Sequence, residues 1–336
     1  MRAVGSTRKQ SEPMQRLELL DEPGGPSLPS LPPAPSAACE LIACTATAAA
    51  YAGASAVSYP QLLCSSGAAF MLTVSPNGFR HCDAMANRWR FLPSCLAEAG
   101  FDKASVLAGP RDLMELAREE LEANRPLVVA GCFPEAPWRA GLVVGLAGRM
   151  HWAVMDSAGR VHRLAPRASL VVATGQPTEP TKPPLQHVLR RCFWCWEGVE
   201  EDEGAAAWRT WLMHLGSEPP ADRAEAASQA AAHECLYETL LDGRANAAAW
   251  LADLALEAEG LAAEWLMEAS DALGQMVSLL ESREPAPHQP EVRQCFTDSS
   301  WRAYLVGLLA EAAELDLQAC RALSNALDGD YPPNEL

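Results

Sequence analysis

Hydrophobic and polar positions along this 336-residue chain follow two rules in succession, mixed at first and then uniformly helical. Cys39 to Ala52 reads CELIACTATAAAYA, without a breaker, and Gly53 follows as a stop. That run predicts a small-residue helix packed on most of its sides. A helical turn in YPQLLCSS then leads into a strand expected around Ala68–Val74. Arg111–Asn124 sets Leu113, Leu116, Ala117 and Leu121 on one face, the mark of an amphipathic helix. Strand-like runs follow at Pro126–Cys132, Gly141–Leu146, Met150–Met155, Val161–Leu164 and Ser169–Ala173. Helices first and an antiparallel sheet after is an α+β arrangement.

Residues 175–184, GQPTEPTKPP, carry prolines and no apolar face, so a linker without regular structure is expected there. Beyond it the period is helical. Asp222 and Glu225 form a capping-box pair, and that helix is expected to end near Gly243. Leu261, Trp265, Ala269, Leu273, Met276 and Leu280 recur at three-to-four spacing, as do Trp301, Leu305, Leu308, Ala312, Leu315 and Ala319. Asp298 or Ser299 can cap the last helix. A bundle of four to six helices is the reading. Residues 1–37 are rich in Pro, Gly and Ser and predict a disordered or extended lead. The chain thus divides into a lead (1–37), an α+β domain (38–174), a linker (175–184) and an acidic helical domain (185–330).

Charge sharpens this division. The net charge is −17, yet residues 1–184 carry 17 basic and 16 acidic side chains, whereas 185–336 carry 9 and 27, a net of −18. Such a surface repels phosphate backbones and anionic lipid heads, which argues against nucleic acid and membrane as partners. It attracts a cationic ligand or a basic protein face; the plainer alternative is a solvated surface that keeps the chain soluble. No run of about 18 apolar residues predicts a membrane span, and the first twenty residues lack a secretory leader. Eleven cysteines, an odd and scattered set, read as reduced thiols of a cytoplasmic protein. Cys192 and Cys195 have metal-ligand spacing but no second pair nearby, so packing, not metal, is expected. No phosphate loop or H-E-x-x-H motif occurs, and no cofactor is expected.

Four features then occur in a telling order. A Cys-bearing helix ends in Tyr51-Ala52-Gly53, and Leu62 to Phe70 follows as LLCSSGAAF. An amphipathic helix runs into Asn124-Arg125-Pro126-Leu127-Val128-Val129, and Arg139-Ala140-Gly141-Leu142-Val143-Val144-Gly145 leads to a next strand ending in Asp156. This order resembles papain-like cysteine domains of the bacteriocin-processing peptidase type. It is still more similar to the butirosin biosynthesis protein H group, in which a helical domain also follows. The resemblance implies a papain-like fold and acyl transfer from a carrier protein to an amine, or peptide cleavage.

Such chemistry needs a thiolate at a helix N-terminus, a His to take its proton and an Asp or Asn to orient that His. Cys39 is the better nucleophile candidate and Cys44, a turn further in, the second. The register of Cys39 lies about one residue from that of the resemblance, and the alternative is an inert buried residue. At the expected His position stands Arg139, whose guanidinium cannot act as a base. Asp156 matches the orienting position and can pair with Arg139; His151 is a weak substitute base. Ser66, Gly67, Phe70, His81 and Arg139 are the candidate binding residues. The expectation is a scaffold that has lost its Cys–His pair and binds a small molecule, cationic amines among them, or a protein. The runner-up is an acyltransferase, followed by a cysteine peptidase.

Overall fold

The computed structural model describes residues 26–28, 30–35, 37–53, 57–76, 89–108, 112–136, 139–148, 150–198, 203–220, 222–283 and 296–328. Its first half holds helices α1 (Glu40–Tyr51), α2 (Tyr59–Ser65), α3 (Leu92–Glu98) and α4 (Leu113–Glu122). Strands β1 (Phe101–Asp102), β2 (Ser105–Ala108), β3 (Leu127–Ala130), β4 (Ala140–Leu146), β5 (Trp152–Met155), β6 (Val161–Leu164), β7 (Leu170–Ala173) and β8 (Gln176–Pro177) accompany them. Helices α5 (Leu185–Glu197), α6 (Gly204–Gly216), α7 (Arg223–Glu257), α8 (Leu261–Arg283) and α9 (Ser299–Asp328) complete the described chain. The molecule is therefore α+β, with an antiparallel sheet followed by a set of long helices.

Six strands pair antiparallel in the order β2-β7-β3-β4-β5-β6. β3, β4, β5 and β7 are buried along their whole length, which explains why they read as continuous apolar runs and not as alternations. α1 and α4 pack on the central strands β3 and β4. Within α1, Thr45 and Thr47 satisfy their hydroxyls on the carbonyls of Leu41 (2.8 Å) and Ala43 (2.9 Å), so an Ala/Thr-rich helix can be buried without orphaned polar groups.

A bulge between Val143 and Gly145 interrupts the β4–β5 register. It leaves the Val144 carbonyl outside the ladder, where it accepts from the Leu28 amide at 2.7 Å. Leu28 and Leu31 are buried beside it. This part of the Pro-rich lead is extended, as its composition suggests, but docked rather than solvated.

Three further differences from the sequence pattern have physical reasons. Ala68–Val74 does not form a strand: residues 66–70 turn, and only Thr73 makes an isolated bridge, to Glu203. The Pro-rich linker contains a short regular element, because Gln176 and Pro177 pair with Asp102 and Phe101. The helix capped by Asp222, whose side chain accepts from Ala224 N at 3.1 Å, does not stop at Gly243 but runs on to Glu257. Gly243 serves a helix crossing there: an added Cβ would lie 2.7 Å from the Ala69 carbonyl oxygen.

That crossing joins the two halves. Arg244 donates to the Ala69 carbonyl and to both oxygens of Asp316 (2.7 and 3.0 Å), and Trp208 Nε1 completes the carboxylate at 2.8 Å. Phe70 packs on Trp196 and Trp250, with ring centroids 5.0 and 6.2 Å away. One apolar core therefore runs from the sheet into the helices.

Candidate functional site

The start of α1 and one end of the sheet build a charged cluster. β4 and β5 run antiparallel with Leu142 opposite Met155, so Arg139, just before β4, and Asp156, just after β5, emerge at the same end. α1 begins beside them. Glu40, its first helical residue, accepts from Arg139 Nε and Nη2 (both 3.3 Å to Oε1), from Ser157 Oγ (2.9 Å) and from the Ala140 amide (3.1 Å). A carboxylate at this position also complements the unpaired amides of the first helical turn. The Arg139 guanidinium lies over the Phe133 ring, 5.4 Å from its centroid.

Asp156 is fully buried and fully engaged. Oδ1 accepts the amides of Ala158 (3.0 Å) and Arg160 (2.9 Å). Oδ2 takes Arg160 Nε (2.9 Å) and Nη2 (2.8 Å), His162 Nε2 (3.0 Å), and faces Arg139 Nη2 at 3.8 Å. Burial pushes this carboxyl's pKa up, but the hydrogen bonds from His162 and Arg160 and the Arg160 charge outweigh burial and hold it below its ordinary value. The His162 ring stands edge-on to Phe133 at 5.5 Å. Glu40, Arg139 and His162 keep part of their side chains exposed (19, 25 and 31%), so the cluster has a mouth.

The thiols lie behind it. Cys39 caps α1 and is buried, and its side chain accepts none of the first-turn amides. Cys44 is buried a turn further in. Burial raises its pKa far above the ordinary thiol range, Glu40, Cys39 and Cys132 add to this, and Arg139 opposes it. Burial likewise pushes Cys132 up to about 12, opposed by a backbone hydrogen bond and by Arg139. Both are protonated thiols at neutral pH, and neither has thiolate character.

The sequence-predicted residues fall into separate places. Arg139 and Asp156 do meet, with Cys39 and Cys44 on the adjoining helix. His151 precedes β5, whereas Asp156 follows it; five residues of extended chain, roughly 16 Å, separate them. Ser66, Gly67 and Phe70 are buried against the helical half: a Cβ on Gly67 would lie 2.5 Å from Cys195 Sγ, so they line an interior joint and no open cleft. His81 lies outside the described residues. Cys192 and Cys195 donate to the carbonyls of Cys64 (3.4 Å) and Ser66 (4.0 Å), and among the described residues no group of three His, Cys, Asp or Glu is placed to hold a metal.

Glu40, Ser157, Arg160 and His162 were not legible as site residues. For His162 a signal existed: an Asp at a strand end, followed by Ser-Ala-Gly, closes a hairpin that brings the residue six further on back to it. Compared with protein-family models and with curated proteins, the chain matches none.

Proposed function

We propose that this chain is a papain-like scaffold that acts by binding a small molecule or a protein partner at the Glu40–Arg139 mouth, and not by cysteine chemistry. The observation that carries the reading is the Glu40–Arg139 pair itself. Cysteine enzymes of the resembled kind place an anion, the thiolate, at a helix start and a cation, the imidazolium, across from it. Here a carboxylate and a guanidinium take those two places, with Glu40 one residue beyond Cys39. The pair preserves the electrostatics and lacks both a nucleophilic sulfur and a proton acceptor. Arg139, Ser157 and the Phe133 face offer hydrogen bonds and a stacking surface to a ligand that carries its own polar groups. No helix among the described residues is long and apolar enough to cross a membrane. The buried thiols of Cys44, Cys64, Cys132 and Cys192 support a reducing, cytosolic setting.

One observation favours a second reading, an acyltransferase that moves an acyl group to an amine. Asp156 does hold an imidazole, that of His162, at 3.0 Å. Two guanidinium groups share the same carboxylate, which weakens its pull on the ring.

Thermal-shift screening of amines, carboxylates and short peptides separates the readings. The binding account expects hits whose shift is lost in Arg139→Met and Glu40→Gln and kept in Cys39→Ala and His162→Gln. Hits that require Cys39 or His162 and ignore Arg139 would overturn it.

A further inference from the structure

β3 does not accompany β4 to its end. Their pairing closes with Leu127 opposite Val143, and the preceding residue, Pro126, has no amide with which to extend the ladder. β4 itself runs on to Leu146. The chain's own lead fills the gap: Ser27 forms an antiparallel bridge with Gly145, and the Leu28 amide donates to the Val144 carbonyl at 2.7 Å. The Leu31 amide turns back to the Leu28 carbonyl at 3.3 Å, and both leucines are buried. Ser30 Oγ lies 3.3 Å from the Tyr51 hydroxyl at the end of α1, and Pro33 reaches Gly159, 3.5 Å from where a Cβ on that glycine would stand. The lead thus crosses the sheet as a strap. Its grip is specific but thin. Five of the ten residues 26–35 are proline and carry no N–H, so the strap cannot zip into the ladder as a full strand. Proline also holds such a segment extended before it docks, which keeps the entropy cost of docking low. A few backbone bonds, apolar anchors and a stiff extended chain are the features of peptides that bind sheet edges and grooves reversibly.

We infer that the gap beside Val144–Leu146 is a peptide-binding site for extended Leu-Pro-x-Leu segments, and that residues 26–35 are its built-in occupant, which a partner protein carrying such a segment displaces. The backbone of Val144 and Gly145 takes one edge of the peptide, and the two leucines three residues apart supply the anchors. This site is separate from the Glu40–Arg139 mouth and does not rest on the reading of that mouth as functional.

The test uses a fluorescently labelled peptide of residues 26–35, Pro-Ser-Leu-Pro-Ser-Leu-Pro-Pro-Ala-Pro, titrated with the full chain and read by anisotropy. Leu28→Asp with Leu31→Asp in the full chain should expel the strap, because docking would bury two carboxylates without partners. A site filled in cis weakens a competing peptide by the fraction of time it is open, so the double variant should bind the peptide about tenfold or more tightly than wild type does. A peptide with both leucines replaced by Asp should not bind either protein. Equal affinity for wild type and variant, no binding to a variant that keeps its circular dichroism, or binding of the Asp peptide would each overturn the site. Native-state hydrogen exchange of wild type gives a readout that needs no variant. The Leu28 and Leu31 amides should exchange about tenfold or more faster than those of β5, because the strap opens while the sheet stays folded. Exchange of the strap at the rate of β5 would show that it opens only with the sheet, and would overturn displacement.

Discussion

Gly243 of α7 lies against Ala69 so closely that a Cβ on the glycine would stand 2.7 Å from the alanine's carbonyl oxygen. The helix continues through a residue of poor helix propensity because only a bare Cα lets the turn at residues 66–70 approach. Gly243→Ala should gain helix propensity and still lose stability, by about 1–3 kcal/mol, since the obstacle is backbone and cannot swing aside. Denaturant unfolding measures this; a stabilised Gly243→Ala protein would mean that the halves do not pack as described.

Arg244, the next residue, is 1% exposed and shares its charge with Asp316. Arg244→Met should leave the Asp316 carboxylate buried with only the Trp208 indole, at a cost of about 3–5 kcal/mol. Arg244→Met combined with Asp316→Leu should recover much of that loss, because the penalty lies in the unpaired charge. Equal losses in the single and double variants would place the penalty elsewhere.

Alkaline pH should weaken the fold before it touches most surface charges. Burial pushes Cys95, Cys132 and Cys195 each up to about 12, opposed in each case by nearby arginine charge. The unfolded chain releases these thiol protons near pH 8.5 and the folded one retains them, so the folded state binds more protons. Stability is then full below the unfolded value and declines above it, each thiol adding up to about 1.4 kcal/mol per pH unit. The denaturation midpoint should fall between pH 8 and 10 and fall less steeply in Cys132→Ala. A flat midpoint would contradict the burial of these thiols.

Much of the architecture was legible because it rests on local pattern. Val161–Leu164 is a strand as read, Gly141–Leu146 is one that begins a residue earlier at Ala140, and the runs 126–132, 150–155 and 169–173 hold strands with trimmed ends. The helical second half followed from spacing alone. The failures lie where distant contacts override local preference. Gly243 reads as a stop and is a contact; Ala68–Val74 reads as a strand but begins in a buried turn at residues 66–70, where Trp196 and Trp250 pack on Phe70, and continues as irregular chain with one bridge at Thr73. Leu28 and Leu31 sit among prolines with no period, and only the bulge at Val144 explains their docking.

The site was half legible for the same reason. Arg139 and Asp156 lie at matching strand ends, which the strand pattern implies. Glu40 reads as an ordinary acidic residue in a first helical turn, because its partner lies 99 residues away. His162 was masked by its place in a short half-exposed strand.

Asp156 provides an acid-side test. Its folded pKa lies below the ordinary carboxyl value, so its contribution is present above the unfolded value of about 3.9 and is lost as pH falls through the folded one. Wild type and Asp156→Asn should differ in unfolding midpoint at pH 6 and converge as the pH falls through the depressed folded-state pKa of Asp156. A difference that persists undiminished in acid would show that the carboxylate's charge is not what holds Arg160 and His162.

The central claim is that the Glu40–Arg139 pair has taken the place of a working thiol and base. Its most direct test is turnover of generic acyl thioesters and peptides by wild type, Cys39→Ala and the double variant Glu40→Cys with Arg139→His. The account predicts no Cys39-dependent rate in wild type, the same background in Cys39→Ala, and thiol-dependent turnover gained only in the double variant. An ordinary enzymatic rate in wild type that Cys39→Ala abolishes would contradict it.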